Sequence, residues 1–210
     1  MIKTRKGFIS AALGLVALTG CVSTQQSLAP IETSNFTLDP THAFLTAQVM
    51  HFGISAYSID LTEFDAQLDF DSETPENSKI SVQIDPMGLD TQYPDDEKKA
   101  DWEAELSTSG RYLDGEDFPS ITFVSTSAER SGEFMGAVTG DLNLRGITKP
   151  VTLDVTYNGT ASSPLDGGKR RVGFTATGTF NRSDFGMDAL TQFVSDEVTI
   201  TFSGEFLSAE

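Results

Sequence analysis

The chain has 210 residues, 38% of them hydrophobic, and carries 31 acidic against 14 basic side chains for a formal net charge of −17. Such a balance makes nucleic acid and bare anionic lipid surfaces poor partners, because attraction to phosphates needs clustered Lys and Arg. The only cysteine is Cys21, so no internal disulfide can form and one domain must hold by its core alone.

Lys3, Arg5 and Lys6 precede an apolar run over residues 8–18, the layout of a signal peptide. The run is too short to span a bilayer, which takes roughly 20 apolar residues. Its end, Leu18-Thr19-Gly20-Cys21, resembles the lipobox of bacterial lipoproteins, in which cleavage precedes the cysteine and the thiol is acylated. The resemblance implies a lipoprotein signal peptide over residues 1–20, lipidation of Cys21 and a lipid-anchored protein in the periplasm. An ordinary secretory signal with Cys21 near the cut is the alternative, and either one exports the domain. Val22 replaces the aspartate associated in some lipoproteins with inner-membrane retention, which favours the outer membrane. Residues 21–34 are mostly Ser, Thr, Gln, Ala and Pro and predict a flexible tether.

Period-two alternation dominates residues 35–208. A short strand is expected around Phe36 and Leu38. The run 43–51 places Ala43, Leu45, Ala47, Val49 and His51 on one face. From Tyr57 to Phe70 the apolar parity switches between Leu61 and Phe64, which predicts a bulge or bend. Further runs are Ile80–Ile84, Ile121–Phe123, Val138–Leu144, Val151–Tyr157, Val172–Phe180 and Val198–Phe206. One stretch breaks the pattern, near residues 94–112, where Asp95, Asp96 and Glu97 precede good helix formers and predict a helix of about three turns. Eight or nine sequential strands predict an all-β, antiparallel barrel, which at about eight strands is either just filled or holds one small ligand. Gly136, Gly140, Gly178 and Gly204 fall within strands and fit either an open lumen or wall curvature. Lys169-Arg170-Arg171, after Gly167-Gly168, reads as a solvated turn.

No catalytic set is visible. His42 and His51 lie an odd number of residues apart, on opposite faces of a regular strand, so they cannot share a metal ion without a bulge. His51 is the only histidine on the apolar face, and no serine or carboxylate is assigned to it. Asp184, Asp188, Asp196 and Glu197 lack the spacing of a calcium loop and read as solvated charge. The expectation is a binding protein with neither catalytic residues nor a metal.

Four stretches carry a family resemblance. They are Leu38-Asp39-Pro40 with His42 to His51-Phe52-Gly53-Ile54-Ser55; Phe118-Pro119-Ser120-Ile121-Thr122-Phe123; Gly140-Asp141-Leu142-Asn143-Leu144-Arg145-Gly146-Ile147-Thr148-Lys149-Pro150-Val151; and Phe180-Asn181-Arg182-Ser183-Asp184-Phe185-Gly186 with Ser195-Asp196-Glu197-Val198. In this order, over about residues 35–207, they resemble the YceI family, exported proteins that bind polyisoprenoids and other long apolar lipids. The resemblance implies a lipocalin-like barrel with a helix laid across it and an apolar tunnel for one extended lipid, with no other cofactor required. It favours the lumen reading of the glycines. Inward candidates for lipid contact are Leu45, Val49, Phe64, Leu68, Phe123, Leu142, Phe174 and Phe202, with His51, Trp102 and Arg182 expected at a polar head group.

One departure stands out. The family's helical segment carries an Arg-Asp-x-His-Leu-like stretch, and here Trp102-Glu103-Ala104-Glu105-Leu106 stands instead, with Glu105 or Leu106 near the histidine's place. Acids at the mouth would disfavour a pyrophosphate and favour a neutral-headed lipid such as a quinone, a free prenyl chain or a fatty amide. The expected function is carriage or sequestration of one such lipid by a membrane-tethered protein, and a homodimer is compatible with the chain. The alternatives are an envelope interaction or stress module whose lipid is structural, and an enzyme acting on an isoprenoid.

Overall fold

A computed structural model describes residues 34–209. The expected signal peptide, Cys21 and the tether up to residue 33 lie outside the described residues. Ten strands follow in order: β1 (Ser34–His51), β2 (Ser55–Leu61), β3 (Phe64–Phe70), β4 (Lys79–Ile84), β5 (Leu89–Asp90), β6 (Ile121–Arg130), β7 (Met135–Leu144), β8 (Ile147–Ser162), β9 (Arg170–Asn181) and β10 (Val194–Ser208). Among the described residues one α-helix, α1 (Asp96–Thr108), is present and separates β5 from β6.

Strands pair antiparallel in the order β10-β9-β8-β7-β6-β4-β3-β1, and β10 returns to β1 from Phe36↔Ser208 to His51↔Val194. The alternation predicted this closed eight-stranded barrel, and closure gives each of the eight strands a neighbour on both sides. β2 pairs with the far half of β1, and β5 with β2. The expected strand around Phe36 is the first part of β1, separated from Ala43 by a register shift after Leu38. The parity switch after Leu61 is a bend between strands. β2 pairs with Thr46–His51 whereas β3 pairs with Ser34–Thr37, and Leu61 and Phe64 both face inside.

The helix begins where its acids sit. Asp95 caps it by accepting the Lys98 amide at 3.1 Å, and Asp96 and Glu97 occupy the first turn, complementing the dipole. Lys99 reaches Asp90 at 2.8 Å and Glu103 accepts from the Thr91 amide at 2.7 Å, tying α1 to β5. The helix and the turns at 52–54, 145–146 and 182–193 share one end of the barrel, here the helix end. Ser34, Ser208 and the turns at 71–78, 131–134 and 163–169 share the opposite, terminal end. Among the described residues no helix is long and apolar enough to cross a membrane.

Two expectations change. Lys169-Arg170-Arg171 is more than a solvated turn, because Arg171 enters β9 and its Nη1 donates to Asp39 Oδ2 and Glu205 Oε2, each at 2.7 Å. Gly140 and Gly204 do not open the lumen. A Cβ at Gly140 would collide with the Phe123 ring, and one at Gly204 would lie 2.6 Å from the Phe202 ring, so both glycines let an aromatic ring lie flat on the wall.

Candidate functional site

The inward face of the barrel leaves a cavity of about 700 Å³, within the range of small-molecule sites. Its wall follows from the strand alternation, since most inward positions are apolar and successive strands present them in register, as in Phe123↔Leu142 and Leu45↔Phe202. Leu45, Leu68, Phe123 and Leu142 line it as buried residues. Val49, Phe64, Phe174 and Phe202 line it half-buried. Edge-on contacts link Phe64 to Phe202 at 6.4 Å and Phe70 to Phe174 at 5.3 Å, making much of the lining aromatic. Burial pushes the Tyr157 phenol above its ordinary pKa, so this wall residue stays neutral.

His51, Trp102 and Arg182 meet the cavity at the helix end. Trp102 donates its indole N–H to the Tyr57 hydroxyl at 3.0 Å and packs edge-on to Tyr112 at 5.7 Å. Arg182 is buried, and its guanidinium donates to the carbonyls of Ser195, Met187 and Val194, which staples the 187–195 loop. Its position at the wall is as expected, but its polar contacts are with that loop. His51 is exposed, stacks edge-on to Phe52 at 4.5 Å, and among the described residues no side chain hydrogen-bonds to it. No base partner therefore activates it in this geometry.

Sequence reasoning missed several lining groups. Tyr57, Tyr93, Leu106, Tyr112 and Leu113 line the helix end, and Lys79, Arg130, Glu133, Phe134 and Met135 the terminal end. The i,i+4 spacing of Trp102 and Leu106 would have placed Leu106 beside Trp102; the turn before β7 carries no periodic signal. The departure in the helix is resolved by orientation. Leu106 is buried against the cavity, Glu105 is exposed and outside it, and Glu103 is taken by Thr91. No acid of α1 lines the mouth, so the expected acid repulsion of a pyrophosphate does not arise there.

The motif residues act as scaffold. Burial alone would raise the Asp39 carboxyl, but hydrogen bonds from Thr41, His42 and Arg171 outweigh it and hold the group far below the usual carboxylate range. Asp39, His42 and Glu205 lie close enough to share one ion, yet the Arg171 guanidinium already bridges the two carboxylates and supplies the positive charge. Arg145 and Gly146, with φ of 53° and 72°, make the two-residue turn between β7 and β8. Arg145 then donates to the Gly186 and Gly110 carbonyls at 2.7 and 2.8 Å, joining three loops. Asp196, expected to be solvated, accepts from the Ser183 hydroxyl and amide, which hold its carboxyl below its ordinary value.

A closed antiparallel barrel around an apolar cavity, with a helix over one end, defines a lipocalin-like barrel. Residues 36–206 match the YceI-like domain, and the chain belongs to the YceI family. It is 36% identical over 185 residues to a UPF0312 protein of Pseudomonas putida strain W619, covering 87% of this chain and 88% of that one. A UPF0312 protein of Enterobacter sp. strain 638 is 33% identical, covering 78% of this chain and 80% of its own. Among solved structures, the YceI protein of Campylobacter jejuni is 25% identical with a TM-score of 0.64, covering 77% and 90% of the two chains. Burkholderia cenocepacia BcnA shares the fold at 22% identity and a TM-score of 0.69, covering 80% and 98%. So does a polyisoprenoid binding domain from Saccharophagus degradans, at 12% identity and a TM-score of 0.59, covering 84% and 99%.

Proposed function

We propose that this protein is an exported, membrane-tethered carrier that holds one long apolar lipid, of polyisoprenoid, quinone or fatty amide type, inside the barrel. The observation that carries the reading is the cavity, with apolar and aromatic walls and polar lining residues mainly at its two ends. Each buried methylene contributes roughly 0.8 kcal/mol, so an extended chain binds there without a catalytic or charged group. The shared fold with a polyisoprenoid binding domain supports the ligand class. At the helix end the lining offers a phenol pair and an indole, Tyr57, Tyr112 and Trp102, which suits a neutral head group. The lipobox-like Leu18-Thr19-Gly20-Cys21 supports the tether and a periplasmic, outer-membrane address.

The test is native mass spectrometry of the chain carrying Cys21→Ser, before and after organic extraction, with and without Ala176→Trp. Ala176 is buried and lines the cavity, so the indole should fill the lumen and abolish uptake of a prenyl or fatty probe. Equal uptake by both chains, or by neither, sinks the reading.

A further inference from the structure

The helix end carries an apolar feature that cargo binding alone does not require. The turn between β1 and β2 exposes Phe52 and Ile54, the latter at 84% of its full surface, and the neighbouring loop exposes Leu190 and Phe193. The two segments are fastened together. The Phe52 amide donates to the Phe193 carbonyl at 2.6 Å, the Met50 amide donates to Ser195 Oγ at 2.9 Å, and the Phe52 and Phe193 rings lie 5.3 Å apart. Phe52 and Leu190 hold φ of 52° and 58°, the left-handed region that bulky side chains disfavour. Both side chains stay 40% or more exposed despite the strain, and such strain clusters at functional sites.

Charge points the same way. In a chain of net charge −17, residues 50–58 and 189–195 contain no acid and no Lys or Arg. An acidic protein approaching an anionic membrane is repelled unless an uncharged face leads. The tip is also continuous with the cavity, because His51, Leu190 and Val194 line the lumen beside it.

We propose that the Phe52–Ile54 turn and the Leu190–Phe193 loop form a bilayer-docking tip, whose side chains enter the head-group region of a lipid surface and set the cavity mouth against it. Aromatic and aliphatic side chains on a polar body are the means by which peripheral proteins lie in a membrane interface. Only the direction of cargo flow through the tip rests on the carrier reading; docking itself does not.

The experiment places an environment-sensitive nitrobenzoxadiazole label on single cysteines in the Cys21→Ser chain, at Ile54→Cys and, for comparison, at Leu165→Cys, an exposed residue of the terminal end. With vesicles of phosphatidylethanolamine and phosphatidylglycerol, the label at 54 should shift to the blue and be quenched by bilayer-embedded doxyl lipids several-fold more than the label at 165. Adding Phe52→Ser and Phe193→Ser should weaken that response about tenfold or more. No response at 54, or an equal one at 165, overturns the proposal. A chain that docks through 54 yet takes up no lipid overturns the carrier reading and leaves the tip standing.

Discussion

Arg171 on β9 donates to Asp39 on β1 at 2.7 Å across the closing seam of the barrel, and both side chains are largely shielded from water. Glu205 on β10 accepts from the same nitrogen, so one guanidinium joins three adjacent strands. Removing Asp39 leaves Arg171 with Glu205 as its carboxylate partner, so the cost is that of a lost charged hydrogen bond, about 2 kcal/mol, and not that of a lone buried charge. Asp39→Ala should therefore lower stability by that order in urea unfolding at neutral pH, while Lys98→Ala, at an exposed pair, should cost under ~1 kcal/mol. A loss at Asp39→Ala no larger than at Lys98→Ala would remove the seam from the account of stability.

The same seam sets an acid limit. The folded-state carboxyl of Asp39 lies below its unfolded value, so the unfolded state binds more protons as pH falls. Its contribution is complete above the unfolded value of about 3.9 and is lost as pH drops from there towards the folded one. Unfolding curves should show stability falling more steeply below about pH 4 in the natural chain than in Asp39→Asn. Parallel pH profiles for the two chains would contradict the assignment.

Legibility in the sequence follows physical periodicity. Strands alternate with period two, so the barrel and the nine strand positions from Leu45 to Phe202 could be read and do line the cavity, as do Trp102 in α1 and Arg182 after β9, which are expected at a head group only with the family resemblance in view. What periodicity could not supply was contact between distant residues. Nothing local tells that Arg171 pairs with Asp39, or that Gly140 is small because the Phe123 ring of the neighbouring strand lies over it. The motifs that mark the family, around Asp39, Arg145 and Ser183, proved to be turns and seams. They identify the scaffold, whereas Tyr57, Leu106 and Tyr112, which line the helix end of the cavity, lie in no motif.

Gly140→Ala tests how the wall is finished. The new methyl group would meet the Phe123 ring and lie 2.7 Å from the Val124 carbonyl, so the ring must swing into the lumen. Overpacking of this kind costs about 1–3 kcal/mol. The expected outcome is a modest drop in melting temperature together with weaker uptake of long apolar probes, measured by calorimetry and by probe fluorescence. Unchanged uptake at reduced stability would mean that Phe123 moves outward instead.

Trp102 is the only tryptophan and it lines the cavity, so its emission reports occupancy without a label. A brominated fatty chain entering the lumen should quench it, and a ligand whose head group displaces the Tyr57 hydroxyl from the indole N–H should shift the spectrum. Tyr57→Phe should retain quenching and lose the shift. A chain with full ligand uptake and unaltered Trp102 emission would place the ligand away from the helix end.

The proposed tether makes the last prediction. Ser34 stands at the terminal end, whereas the apolar tip stands at the helix end. β10, with 15 residues, rises ~50 Å along the strand and so ~35–40 Å along a tilted barrel axis. The stretch from an acylated Cys21 to Ser34 spans at most ~45 Å. With Cys21 anchored as proposed, the tip would reach that membrane only with residues 21–34 drawn almost straight along the barrel. Deleting residues 24–29 should abolish lipid exchange with the membrane that holds the anchor, while exchange with separately added vesicles and the affinity for dispersed lipid stay as they were. Fluorescent-lipid transfer from the two vesicle populations measures the difference. Equal loss from both, or no loss from either, would show that leash length does not govern access to the mouth.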